Sequence, residues 1–138
     1  MARRWSDGRG TLRVTGPADG GAHGSGDGGG APAERAVVPL EIAASYRART
    51  RGLLGQDGLA GALLLTPASG VHTFRMRFAI DVAYLDRGLR VLAVRTMRPG
   101  RLGRPRLRAR HVLEAPAGAM AGWGLRPGAV VRITPEPR

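Results

Sequence analysis

Ile80-Asp81-Val82-Ala83-Tyr84-Leu85-Asp86-Arg87-Gly88-Leu89-Arg90-Val91-Leu92-Ala93-Val94-Arg95-Thr96-Met97 is the stretch that decides the fold class. Its first six residues set β-branched and aromatic side chains at alternate positions, the two-residue period of a strand. Asp86-Arg87-Gly88 supplies turn chemistry, and residues 89–97 are long enough to pair back antiparallel. The apolar centre from Val91 to Val94 implies burial on both faces. Residues 80–97 therefore read as a hairpin.

Working outward from that hairpin, Ala36 to Ala43 reads as a strand in which Pro39 hints at an edge position. Ser45 offers a side-chain oxygen to cap a helix from Tyr46 to Leu54, with Gly52 weakening its end and Gly55 terminating it. The short apolar run Gly61-Ala62-Leu63-Leu64-Leu65 reads as a buried strand, followed by a loop from Thr66 to Gly70. Downstream, residues 98–110 alternate Arg with Pro, Gly and Leu and read as an exposed loop. Two more strands are expected at His111 to Ala115 and Ala129 to Thr134, separated by a small-residue turn from Ala117 to Trp123. Residues 1–35 hold ten glycines and only the apolar patch Thr11-Leu12-Arg13-Val14, which predicts a disordered Gly/Arg-rich extension. Residues 36–138 are then one domain. Its expected class is β-rich α+β, a compact barrel-like and mostly antiparallel sheet with one short helix near 46–54.

Composition narrows the chemistry. The 138 residues contain no cysteine, which excludes disulfides, thiolate metal sites, iron–sulfur clusters and a cysteine nucleophile. A chain of this size buries enough surface to fold without a metal or disulfide staple, so neither a cofactor nor a structural metal is expected. The basic start, Met1-Ala2-Arg3-Arg4, lacks the apolar stretch of a signal peptide, and no apolar run is long enough to span a bilayer. The expected location is the cytoplasm and the expected state a monomer. The formal charge of +12 invites a nucleic-acid reading. Yet every one of the 22 basic residues is Arg, Lys and Asn are missing, and Gly, Ala and Pro abound, as translation of a GC-rich genome produces. The compositional cause outweighs selected phosphate binding.

The order of motifs from Ile42 to Ile133 resembles the DUF192 (UPF0127) family. Its elements are Arg51-Gly52-Leu53-Leu54, then Gly61-Ala62-Leu63-Leu64-Leu65, then the long run from His72-Thr73-Phe74 through Asp81 to Asp86. Val112-Leu113-Glu114-Ala115-Pro116-Ala117-Gly118 and Gly124-Leu125-Arg126-Pro127-Gly128 complete it. Each motif alone is weak, but five in the family's order make a specific signal. The resemblance implies a compact β-rich, barrel-like domain with little helix and implies no assigned activity. Many members carry Trp-Met-Lys-Asn-Thr where this chain has His72-Thr73-Phe74-Arg75-Met76, a His-Thr-Phe variant, so any chemistry of the former does not carry over to these positions. Many members also have export signals, which this sequence does not show.

His72, Asp81 and Glu114 are the polar residues of ligand type that fall inside these motifs beside apolar segments. A His with two carboxylates can hold a divalent metal or divide acid and base work. Against that stand the lack of His-Glu-x-x-His or a phosphate loop and the plain alternative that Asp81 and Glu114 accept hydrogen bonds from loop amides, Arg51 or Arg77. His72 reads equally as a ring bonded to a carbonyl. Thr73 and Ser69 have no second His close by to activate them, and Trp123 and Met120 read as core. The leading expectation is a noncatalytic module binding a small ligand or protein, with Arg51, His72, Thr73, Asp81 and Glu114 as ligand-binding candidates. A metal-assisted hydrolase using His72, Asp81 and Glu114 is one alternative. The other is weak, nonspecific nucleic-acid binding through Arg101, Arg104, Arg106 and Arg108, since no aromatic residue sits between these arginines to read bases.

Overall fold

In the structure, a computed structural model that describes residues 5–16 and 33–137, the chain runs β1 (Gly8–Gly16), β2 (Ala33–Ala43), α1 (Tyr46–Arg51), β3 (Ala62–Leu65), β4 (Ile80–Leu85), β5 (Val91–Met97), β6 (His111–Pro116), α2 (Ala119–Gly122) and β7 (Val130–Pro135). The hairpin forms as its alternation requires, β4 against β5 with Ile80 opposite Met97 and Ala83 opposite Val94. The strands build one mixed sheet in the order β5-β4-β6-β3-β2-β1-β7. β2 and β3 pair in parallel and every other neighbouring pair is antiparallel.

The sheet curls until the start of β5 reaches β7. Arg90 bridges to Val130, the Val91 amide donates to the Ala129 carbonyl at 2.8 Å, and the Val131 amide donates to the Leu89 carbonyl at 3.0 Å. The result is a half-barrel, in agreement with the barrel-like, mostly antiparallel class read from the sequence. Strand alternation sorts the core into two layers. One draws on all seven strands, with Leu12, Leu40, Leu64, Ala83, Val91, Leu113 and Val131 among its members, and α2 adds Met120. The other, on the opposite face, holds Leu63, Leu65, Val82, Tyr84 and Val112 beneath Leu53, Val71 and Met76 from the connecting segments. No helix among the described residues is long and apolar enough to cross a membrane.

Four expectations need correction. Residues 8–16 are no tail: β1 lies between β2 and β7, with Leu12 and Val14 fully buried, because long-range pairing supplies what the glycine-rich local sequence lacks. The rest of the 1–35 extension, residues 1–4 and 17–32, lies outside the described residues. Pro39 does not mark an edge strand, since β2 has neighbours on both sides; the pairing with β3 begins one residue later, at Leu40, so the missing amide interrupts no ladder there. The helix ends at Arg51 rather than Leu54, with Gly52 as its cap, while Ser45 accepts from the Ala48 amide at 3.1 Å as its position predicts. The turn after β6 contains a second short helix, and β6 and β7 are not sheet neighbours.

Candidate functional site

Register decides which sequence candidates meet. Glu114 of β6 sits between Leu63 of β3 and Val82 of β4, so its side chain shares the face of Leu65 and Val112. Asp81 pairs with Ala115, one residue on, and so belongs to the opposite face. There its carboxylate accepts from the Thr96 hydroxyl at 2.7 Å and from the Met120 amide at 3.1 Å, tying α2 to the hairpin. The sheet itself thus separates Asp81 from Glu114. The three-residue metal site that the alternative hydrolase reading needs from His72, Asp81 and Glu114 does not form, and no group of three His, Asp or Glu side chains gathers to hold a metal among the described residues.

His72 and Glu114 do meet across a cavity of about 190 Å³, between the end of α1 with its following turn and the segment from Leu65 to His72. Leu53, Leu65, Val71 and Met76 give it apolar walls, and Arg49, Arg51 and His72 bring the polar groups with Glu114. Glu114 is 4 % exposed and has no hydrogen-bond or ion-pair partner among the described residues. Burial alone pushes its carboxyl up from 4.5 to about 7. Arg49 is anchored, with Nη1 donating to the Pro67 carbonyl at 2.8 Å and Nε to the Ser45 carbonyl at 3.4 Å. Arg51 is exposed, and His72 stacks on Phe74 with ring centroids 5.2 Å apart. Arg75 holds φ at 62° in the turn that delivers Met76 to the cavity, a conformation that costs a non-glycine residue on the order of 1 kcal/mol.

Neither Arg51 nor Arg77 serves the buried carboxylates as the sequence allowed. Arg77 pairs with Asp57 at 2.8 Å on the surface, and the expected amide partner exists for Asp81 alone. Thr73 lines neither the Glu114 cavity nor the one beside the Arg-rich loop. It is fully buried, its hydroxyl donating to the Arg98 carbonyl at 2.6 Å and accepting from the Arg101 amide at 2.8 Å, so it clamps the start of the Arg-rich loop. Thr73→Val should therefore destabilise the fold by about 2–4 kcal/mol through two orphaned backbone groups. A urea-denaturation midpoint equal to that of the wild type would contradict the clamp.

Arg101, Arg104 and Arg106 line a second cavity, whereas Arg108 is exposed and outside it. The loop is not uniformly solvated, since Arg106 is half-buried over the Tyr84 ring and Ala109 is buried. Sequence reading missed Arg49 and Met76 at the first cavity and Arg95 at the second, and it placed Arg98 in the Arg-rich loop without singling it out. Arg49 had a usable signal, lying one helical turn after the Ser45 cap and so pointing back over the entry to α1.

Fold and site together define a small half-barrel domain with a buried, unpaired carboxyl at the wall of a cavity. The chain belongs to the DUF192 (UPF0127) family: residues 31–133 match DUF192, described as an uncharacterized ACR. A UPF0127 protein of Pyrococcus horikoshii is 33% identical over 84 residues, which is 57% of this chain and 73% of that protein. One of Thermococcus kodakarensis is 29% identical over 102 residues, 70% of this chain and 65% of that protein, so the chain spans about two thirds of its length. Among solved structures, a protein of unknown function from Novosphingobium aromaticivorans aligns with TM-score 0.67 and 19% identity over 88% of this chain and 83% of its own. At that identity the likeness shows the fold alone.

Proposed function

We propose that this domain is a noncatalytic module that binds a small polar ligand in the Glu114 cavity, with the ligand donating a hydrogen bond to the carboxyl. The observation that carries the reading is that Glu114, 4 % exposed on the cavity wall, has no partner among the described residues. The Glu114 carboxyl lines the cavity without a protein partner among the described residues, so an amine, amide or hydroxyl brought by a ligand gives it the hydrogen bond that the protein does not. The cavity, of about 190 Å³, suits a compact molecule. Arg51, exposed and without a side-chain partner among the described residues, favours an anionic end on the same ligand.

Thermal denaturation against a panel of small amino acids, hydroxy acids and amines tests this. Binding to the folded state alone raises stability by about 2.7 kcal/mol at a hundredfold excess over Kd. At least one compound should raise the wild-type midpoint, and Glu114→Gln and Arg51→Ala should each reduce that gain. A panel without effect, or a gain that both variants retain in full, would remove the basis for the reading.

A further inference from the structure

The second cavity carries a different chemistry. Arg95, Arg98, Arg101, Arg104 and Arg106 line an open cleft of about 580 Å³ floored by Tyr84, and no carboxylate among the described residues lines it. Like charges repel unless an anion sits between them. Here the guanidiniums of Arg98, Arg101 and Arg104 have neither an ion pair nor a side-chain hydrogen bond among the described residues. Arg95 reaches only a backbone oxygen, Nη1 donating to the Val94 carbonyl at 2.8 Å. Arg106 Nε is buried with no hydrogen-bond partner among the described residues, while the same guanidinium lies over the Tyr84 ring and bonds its hydroxyl. A lone buried donor of this kind is uncommon, because buried polar groups are nearly always satisfied.

The cavity is built rather than incidental to a floppy loop. The Thr73 hydroxyl pins the chain at Arg98 and Arg101, the Gly103 amide donates to the Val71 carbonyl at 2.8 Å, and the Arg106 amide donates to the Ser69 carbonyl at 2.9 Å. Gly103 must lack a side chain, since a Cβ there would lie 2.5 Å from the Tyr84 hydroxyl and 2.9 Å from Val71 Cγ1. The volume lies within the roughly 300–1,000 Å³ of small-molecule sites. Arg106 covers the Tyr84 ring at 5.1 Å from its centroid, so the site offers no free aromatic face on which a nucleobase would stack.

We propose that this arginine-walled cavity binds a short oligophosphate, its oxygens taking the unpartnered N–H groups of Arg98, Arg101 and Arg104, with the Arg106 guanidinium adding its charge from the floor of the site. Guanidinium forks match phosphate oxygens in pairs, and several phosphates in a row supply the charge that five cations ask for. The occupant is a free di- or triphosphate rather than a nucleic-acid strand, since the cations converge on one open cleft with no base platform beside it. This site is independent of the Glu114 cavity.

Calorimetric titration with inorganic triphosphate at about 0.1 M salt tests the proposal. Saturable one-site binding is expected, weakened about tenfold or more by Arg106→Gln and by the double variant Arg101→Gln/Arg104→Gln. Because Arg101 and Arg104 are exposed, the double variant should fold even where Arg106→Gln does not. Arg108→Gln, outside the cavity, should weaken binding by less than about twofold, and Glu114→Gln should leave it unchanged. The proposal is overturned by absence of saturable binding, by an equal loss in Arg108→Gln, which would mean diffuse attraction to net charge, or by a single-stranded oligonucleotide outcompeting triphosphate of equal charge.

Discussion

Removal of residues 1–16 should abolish the cooperative unfolding transition of this protein. Among the described residues β1 is the only strand to which β7 is paired along its length, with Leu12 opposite Ile133 and Val14 opposite Val131, and on its other side all nine residues of β1 pair with β2, from Gly8–Ile42 to Gly16–Ala33, with one bulge. Leu12 and Val14 are fully buried in the layer shared by all seven strands. Truncating one buried leucine to alanine costs about 2–5 kcal/mol, against a total stability of about 5–15 kcal/mol for a domain. The first residues also hold the entry to α1, since Asp7 Oδ1 accepts from the Ala44 amide at 2.6 Å and the Ser45 amide at 2.7 Å. Trp5 meets His111 edge-on with centroids 5.7 Å apart. Circular dichroism through a urea series should show a gradual slope for the truncated chain and a lowered midpoint for Leu12→Ala. A truncated chain that melts as the wild type does would mean that β1 is dispensable.

β1 carries little local signal of a strand. Leu12 and Val14 alternate with Thr11 and Arg13 as a half-buried strand requires, but four residues of pattern are outweighed by the glycines on either side. One of those glycines is a packing requirement rather than a mark of disorder: at Gly10 a Cβ would lie 2.7 Å from the Thr134 carbonyl of β7. Such a contact spans most of the chain and leaves no local trace. By contrast the 80–97 hairpin, the all-buried Leu63 to Leu65 run and the Ser45 cap were legible because each rests on neighbours within a few residues. The candidate site was half legible. That Glu114 and His72 share a cavity while Asp81 does not follows from a one-residue offset in the pairing of β4 with β6. Sequence periodicity shows that neighbours alternate, but it does not show which of two distant strands' faces coincide.

The second large effect concerns pH. Glu114 ionises at about 4.5 in an unfolded chain and at about 7 in the fold, where burial disfavours the charged form. Between those values the folded state keeps a proton that the unfolded state has released. Stability therefore falls as pH rises through this window, by an amount on the order of 3 kcal/mol once both states are ionised. His111 works in the opposite sense: burial lowers its pKa below 6.5, with Asp86 opposing that shift and Arg110 adding to it, so its contribution is lost as pH falls below the unfolded value. The two partly cancel in the wild-type profile, and the informative quantity is the difference between the wild type and Glu114→Gln, in which His111 is common. That difference should move by about 3 kcal/mol in favour of the glutamine variant between roughly pH 4 and pH 8. In a domain of this size it corresponds to a melting-temperature gap that shifts on the order of 10 °C. Arg49, Arg51 and His72 line the same cavity, and a strong ion pair from any of them would hold the carboxylate charged and flatten the difference. Parallel stability curves across that range would show that Glu114 is already paired, and the small-ligand reading of its cavity would lose its footing with it.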